Sequence, residues 1–193
     1  MTSKPSAPSV VMLNPRVLAI TARLIVWDLP AGVRPLNIAL PGGDPSSLLV
    51  PWPRMLLGAL VSQNGQKLLH AVAIKRQGRP REDSPLFHAP LMNTDSVGRI
   101  HLASDTDLPE VEPSQIDIWD KALLGYQFSV VGHDRTIRPD GMVATAAVNS
   151  YHHARCWRQI ARSEVDRFPG QALVPRRQTV SGWLEQLGSL TIV

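Results

Sequence analysis

Short apolar runs separated by proline and glycine fill the first half of the chain. Arg16 to Asp28 (RVLAITARLIVWD) is rich in β-branched and aromatic residues and ends at Leu29-Pro30-Ala31-Gly32, the pattern of a strand followed by a turn. Leu36 to Leu40 is a second apolar run, closed by Pro41-Gly42-Gly43-Asp44-Pro45, and Pro51 to Pro53 punctuates the chain again. Met55–Ser62 and Lys67–Lys75 then flank Gln63-Asn64-Gly65-Gln66. Asn-Gly between two apolar runs is the strongest short-range hairpin signal, because both residues tolerate positive φ. This half therefore predicts an antiparallel meander, followed by a loop over 76–85.

The period then changes from two to between three and four. Glu112-Pro113-Ser114 reads as a helix start, with Ser114 as N-cap and Asp117 three residues on in a weak capping box. Ile118, Ala122 and Gly125 share one face of that helix, with Trp119, Leu123 and Tyr126 beside them. Residues 129–142 read as a loop. Thr145 to Arg162 predicts a second helix, whose Ala147, Tyr151, Ala154, Trp157 and Ala161 form its apolar stripe. Phe168-Pro169-Gly170 ends that unit, and Thr179 to Leu187 predicts a short closing helix. Strands early and helices late, without alternation, predict an α+β fold. Residues 1–15, rich in Ser, Pro and Ala, read as a flexible lead-in to a single domain over 16–193.

Bulk properties exclude several classes. A length of 193 residues suits one domain, and 44% hydrophobic residues with a mean hydropathy of −0.05 suit a packed globular chain. No apolar run reaches the length of a membrane span and no secretory signal pattern opens the chain, so a cytoplasmic protein is expected. The single cysteine, Cys156, excludes a disulfide framework and a multi-cysteine zinc site. Seventeen prolines favour extended connections over long helices.

The net charge of +4 is modest but unevenly spread. Asp105, Asp107, Glu110, Glu112, Asp117 and Asp120 form an acidic stretch, whereas Arg155, Arg158, Arg162, Arg167, Arg176 and Arg177 lie in a basic one with His152 and His153. With a sequence pI of about 9.7, those six arginines are candidate nucleic-acid or anion contacts. Tyr151 and Trp157 would stack on bases only if exposed, and their place in the apolar stripe predicts core. Two solvated surfaces remain the plainer account of the charge pattern.

Metal chemistry finds little support. His88 and His101 with His133, or the His152–His153 pair, have no recognised ligand spacing. His152 and Cys156 are four residues apart and share a helix face, but two ligands do not close a zinc site. Asp105, Asp107 and Glu110 lack the glycine and the length of a calcium loop. No phosphate loop, nucleophile elbow or His-Glu-x-x-His helix occurs, and neither metal nor cofactor is expected.

The segment Pro85-Leu-Phe-His-Ala-Pro-Leu-Met-Asn-Thr-Asp-Ser-Val-Gly-Arg-Ile-His-Leu102 reads as an active-site loop on an irregular path. Phe87-His88-Ala89-Pro90, Asn93, Gly98 and Leu102 resemble the catalytic segment of the ubiquitin-conjugating-enzyme (UBC) superfamily. More narrowly, the chain resembles the bacterial UBC-like family of PRTRC system protein B, over roughly residues 50–187. Ala71-Val72-Ala73-Ile74-Lys75, Trp119, Ala122, Phe128, Tyr151, Trp157, Phe168-Pro169 and Leu173-Val174-Pro175 extend the match in order. Residues 1–49 add nothing recognisable.

The resemblance implies a meander of about four strands followed by the active-site loop and helices, as the hydropathy pattern also predicts. It further implies a mobile-element gene cluster with a ubiquitin-like protein, a UBA-type activating enzyme and a JAB-type metalloprotease. The family chemistry is a thioester relay on a cysteine thiolate. Here His101 stands at the expected cysteine position, and an acyl-imidazole is a labile carrier exposed to hydrolysis. By the family pattern His88 is a structural turn residue, and the spacing of Asn93 does not support an oxyanion role.

The expected reading is therefore a catalytically degenerate UBC-like protein. Its motif of His88, Pro90, Asn93, Gly98 and His101 would dock a protein partner such as a ubiquitin-like protein or an activating-enzyme homologue. The alternative is a UBC-fold subunit of a nucleoprotein assembly that binds DNA or RNA through the basic 155–177 region.

Overall fold

The computed structural model describes residues 14–103, 107–138, 148–163 and 165–191, so the expectations for residues 1–13 and 139–147 lie outside the described residues. The strands are β1 (Val17–Ile20), β2 (Leu24–Leu29), β3 (Gly32–Ile38), β4 (Ser46–Trp52), β5 (Met55–Val61), β6 (Lys67–Ala73), β7 (Pro85–His88), β8 (Arg99–Ile100), β9 (Gln127–Phe128) and β10 (Pro175–Thr179). The α-helices are α1 (Ile116–Gly125), α2 (Ser150–Arg162) and α3 (Val180–Ser189). None of them is long and apolar enough to cross a membrane.

The main sheet runs β1-β2-β5-β6-β7-β10, with β8 also on β6, and every pairing in it is antiparallel. The predicted meander is its centre, and β3–β4 is an excursion between β2 and β5. That excursion forms a second sheet, β4-β3-β9, in which β9 runs parallel to β3.

β5 reads Met-Leu-Leu-Gly-Ala-Leu-Val, apolar on both faces, because both faces are covered. Met55, Leu57 and Ala59 join Ile25, Trp27, Leu69, Ala71, Trp52, Trp119 and Trp157 in the larger core. Leu56 and Leu60 join Leu24, Val26, Val72, Trp183 and Leu187 in the smaller core beneath α3. Gly58 lies at that second interface, where a Cβ would come within 2.7 Å of Leu187 Cδ1. On the first face α1 packs against β3, and α2 against β4.

Several expectations change in detail. The Arg16–Asp28 run is two strands, because the chain reverses at 21–23 and Thr21 N–H donates to the Leu24 carbonyl. The run at Leu36 begins earlier, at Gly32, and pairs with β4, which carries Pro51 opposite Val33. Pro51 is tolerated there because β4 is an edge strand, where a missing N–H is not needed for a ladder. The Asn64-Gly65 hairpin forms as expected, but only Gly65 takes positive φ (80°). Asn64 instead accepts from Ser62 Oγ through its side chain.

Ser114 is not the helix cap: it lies in a 3-10 turn over Pro113–Gln115, its hydroxyl donates to Glu112, and Gln115 caps α1 without a side-chain bond. The buried face of α1 is Ile116, Trp119, Asp120 and Leu123, while Ile118 is 47% exposed. Asp120 turns inward because it accepts from Trp27 Nε1 at 2.8 Å and from Arg16 Nη1 at 2.6 Å.

α2 begins at Ser150 under an Asn149 cap, whose side chain accepts from His152 N–H. Its buried face is His153, Ala154, Cys156, Trp157 and Ile160, and Tyr151 is 62% exposed rather than core. β10 is an element the hydropathy pattern does not predict. Its Pro-Arg-Arg-Gln-Thr sequence carries the proline and charge of an edge strand, which needs no apolar alternation.

Candidate functional site

β7 delivers the motif. His88 ends that strand opposite Val72, and its N–H donates to the Val174 carbonyl at 2.9 Å. Pro90 is buried, and its carbonyl accepts from Trp157 Nε1 of α2 at 2.9 Å. The chain then bends at Asn93, whose φ of 56° is in the left-handed region that asparagine tolerates better than most residues. Asn93 Oδ1 accepts from the N–H groups of Ser129 (2.8 Å) and Val130 (3.1 Å), and its Nδ2 donates to the Tyr126 hydroxyl at 3.3 Å. The Asn93 amide is thus committed to clipping the loop onto residues 126–130. Gly132 continues that contact, since a Cβ there would lie 2.5 Å from the Thr94 carbonyl.

Residues 94–100 form a tight hairpin in which Thr94 bridges Ile100. Asp95 organises it: one carboxylate oxygen accepts from the N–H groups of Val97 (3.0 Å) and Arg99 (2.9 Å). Gly98 has φ of 88°, and a Cβ there would lie 2.9 Å from the Ala71 carbonyl, so two independent constraints demand glycine.

His101 follows β8. Its N–H donates to the Asn93 carbonyl (2.7 Å) and its carbonyl accepts from the Tyr126 hydroxyl (2.9 Å). Its side chain is 53% exposed, and Nε2 lies 3.3 Å from the second Asp95 oxygen. A cleft of about 550 Å³ opens beside it, lined also by Lys67, Arg99, Leu102 and Leu108. The backbone of the motif is therefore fixed on both sides of an exposed imidazole that carries no thiol.

Cys156 lies elsewhere. It is 5% exposed on the buried face of α2 and lines a different cleft, of about 360 Å³, with Ile160, Pro169 and Ala172.

Burial lowers the pKa of His70, His88, His133 and His153. His88 stacks at 4.8 Å on His133, and its pKa falls to about 4, first through burial and then through the fields of His133, Arg176 and Arg135, against Asp134. His153, wholly buried, falls to about 3 for the same leading reason. His70, on β6, falls to about 4, because burial outweighs the favourable fields of Asp95 and the Val97 backbone. No group of three or more His, Cys, Asp or Glu among the described residues is arranged to hold a metal ion. His152 and Cys156 are one turn apart on α2, His152 exposed and Cys156 buried, and no third ligand stands with them among the described residues. Glu110 instead pairs with Lys67, and Asp105 lies outside the described residues.

The six candidate arginines divide. Arg155 and Arg162 are exposed on α2 with Arg158 partly so, Arg167 is exposed beyond it, and Arg176 and Arg177 lie on β10. Trp157 is fully buried and unable to stack on a base, whereas the exposed Tyr151 is free of the core. Sequence reasoning missed Tyr126, the clasp of the loop, for which no local signal exists. For Asp95 a local signal does exist, since Asp95-Ser-Val-Gly98 has the Asp-x-x-Gly spacing of a side-chain-organised turn.

No curated protein and no solved structure matches the chain. The model of prokaryotic E2 family D (Prok-E2_D) matches residues 1–176, and thus also the first 49 residues, which the motif-level resemblance left out. The clipped loop, the antiparallel sheet that delivers it and this match over most of the chain agree, and the chain belongs to prokaryotic E2 family D.

Proposed function

We propose that this protein is a catalytically degenerate member of its family, of the PRTRC type, and acts by docking a protein partner of a bacterial mobile-element system. The observation that carries this reading is His101, an exposed imidazole at the position where the family resemblance implies a nucleophilic cysteine, on a loop whose backbone remains fully clipped. A loop retained without its thiolate is suited to recognition rather than relay. Val97 (43% exposed) and Val130 (52% exposed) lie on the two clipped segments and supply apolar contact surface. The partner of this reading is a ubiquitin-like protein or an activating-enzyme homologue.

The test mixes the protein with its cognate activating enzyme, ubiquitin-like protein and ATP, and resolves the products on a non-reducing gel. The expected result is no adduct, with complex formation lost on Val97→Asp. A thiol-sensitive adduct that disappears in Cys156→Ala would make Cys156 a nucleophile and overturn the reading. A hydroxylamine-sensitive adduct lost in His101→Ala would overturn it by making His101 an acyl carrier.

A second reading is favoured by one observation, the exposure of Tyr151 on the same helix as Arg155, Arg158 and Arg162. In it the protein is a UBC-fold subunit of a nucleoprotein assembly, contacting DNA or RNA through α2 and the basic 155–177 region. A salt-sensitive gel shift abolished by reversing the three arginines would support it, and a shift unaffected by those reversals would count against it.

A further inference from the structure

A cleft of about 300 Å³ lies between the Asp95–Gly98 turn and β10, lined by His88, Ser96, Arg176, Arg177 and Gln178. It is distinct from the larger cleft beside His101, and no carboxylate lines it. We propose that this cleft is an oxyanion subsite, which takes a carboxylate or phosphate group on Arg176 and Arg177 with Ser96 and Gln178 as hydrogen-bond donors.

The state of Arg176 carries the inference. Its guanidinium is half-buried and makes no ion pair among the described residues. Nη2 donates to the Gln178 side-chain oxygen at 2.7 Å and reaches the Gln186 oxygen at 3.5 Å, both neutral acceptors. Nη1 is buried without a hydrogen-bond partner. A cation taken out of water and given only neutral amides keeps its desolvation cost without a counter-charge. Burial accordingly weakens its hold on the proton, with Asp95 in opposition. Asp95 offsets part of that cost through its field but makes no ion pair with Arg176, its oxygens lying on the Val97 and Arg99 N–H groups and on His101. An oxyanion in the cleft would bring Arg176 the counter-charge that its neutral partners lack, and the exposed guanidinium of Arg177 would bind it directly.

The surroundings agree. Gln178 Nε2 donates to Gln186 of α3 at 2.9 Å, which fixes the amide that orients Arg176. Gly98 lets the turn approach, since a Cβ there would lie 3.0 Å from Arg176 Nη1. Arg177 and Ser96 are exposed, and neither side chain has a hydrogen bond or ion pair among the described residues. At about 30 Å³ per water the cleft holds about ten waters, ample for one oxyanion group and too small for a folded element.

The groups around His88 are the ring of His133, the guanidinium groups of Arg176 and Arg135, and the carboxylate of Asp134. An anion in the cleft offsets the cations among them, so binding raises the His88 pKa and, by linkage, strengthens as pH falls.

The experiment follows the His88 ring signals by NMR while inorganic phosphate, acetate, or a short peptide with a free or an amidated C-terminus is added, against sodium chloride at matched ionic strength. The expected result is saturable binding with a rise in the His88 pKa, weakened about tenfold or more by Arg176→Gln and by Arg177→Gln and unchanged by Arg158→Gln. Acetate and the free-acid peptide acting alone would assign a chain-end carboxylate, and phosphate acting alone a phosphate group. Arg176→Gln risks loosening the Gln178–Gln186 pair, so the exposed Arg177 provides the variant that leaves the fold intact. His88 signals that respond no more than to sodium chloride, or a response equal in Arg177→Gln and Arg158→Gln, would overturn the proposal.

Discussion

Asn93 combines two demands that no other side chain meets as well. Its backbone occupies the left-handed region, which costs most L-residues roughly 1–2 kcal/mol, and its side-chain oxygen satisfies two N–H groups of the segment it clips. Asn93→Gly keeps the backbone freedom and loses the acceptor, so a loss of about 2 kcal/mol is expected. Asn93→Ala loses both, and about 3 kcal/mol is expected. Urea unfolding of the two variants separates the contributions, and equal losses would show that the backbone conformation costs nothing. The turn character of Asn93 is legible in the sequence, because Asn, Asp, Ser and Gly cluster there. Its partners at 126–130 are not, because they come from a segment more than thirty residues on that only the tertiary fold brings back.

At the scale of elements, the long periodic and alternating segments are legible and the short or two-sided ones are not. The β5–β6 hairpin follows from Asn-Gly between apolar runs, and α3 from its capped apolar period. α1 misleads because its burial is set by an ionic contact. Asp120 breaks the apolar stripe in sequence, yet it turns inward to Trp27 and Arg16, leaving Ile118 outside. Removing one member of such a group strands the others. Asp120→Ala is expected to cost about 3 kcal/mol, measured as a lower urea midpoint at unchanged m-value. Asp117→Ala removes the exposed partner of Arg16 and is expected to cost no more than about 1 kcal/mol. A comparable loss in both variants would refute the distinction. β10 was missed for a different reason: an edge strand rich in arginine has the composition of a loop.

For the whole molecule, the α+β layout and the meander are readable from hydropathy alone, while the fate of the histidines is not, since burial is a property of the assembled core. The neutrality of the buried His70 and His153 couples folding to pH. His70 and His153 have folded pKa values lowered from 6.5 to about 4 and about 3, so the unfolded chain binds protons first. Stability is therefore full above about pH 6.5 and is lost as pH falls through that value toward the folded values, with His70 alone accounting for about 3 kcal/mol. His153→Leu fills similar space without a titrating ring. It is expected to flatten the decline of unfolding free energy between pH 6.5 and pH 4 in urea titrations, and an unchanged slope would show that His153 is not a source of the decline.

The two-faced strand β5 has a consequence for how the chain is made. As synthesis proceeds from the N-terminus, the β5–β6 hairpin is complete by residue 73, yet the side bearing Leu56, Leu60 and Val72 has no cover until α3 emerges. Until then β5 is paired on both edges by β2 and β6, but its apolar face stays open to non-specific association with other chains. A chain cut at residue 176, where the family match ends, would make that exposure permanent. Such a fragment is expected in the pellet on expression, whereas the full chain stays in the supernatant. A soluble, folded fragment would mean that α3 is dispensable. The segment that lies beyond the family pattern is thus the one that closes the protein and keeps its central strand out of reach of its neighbours on the ribosome.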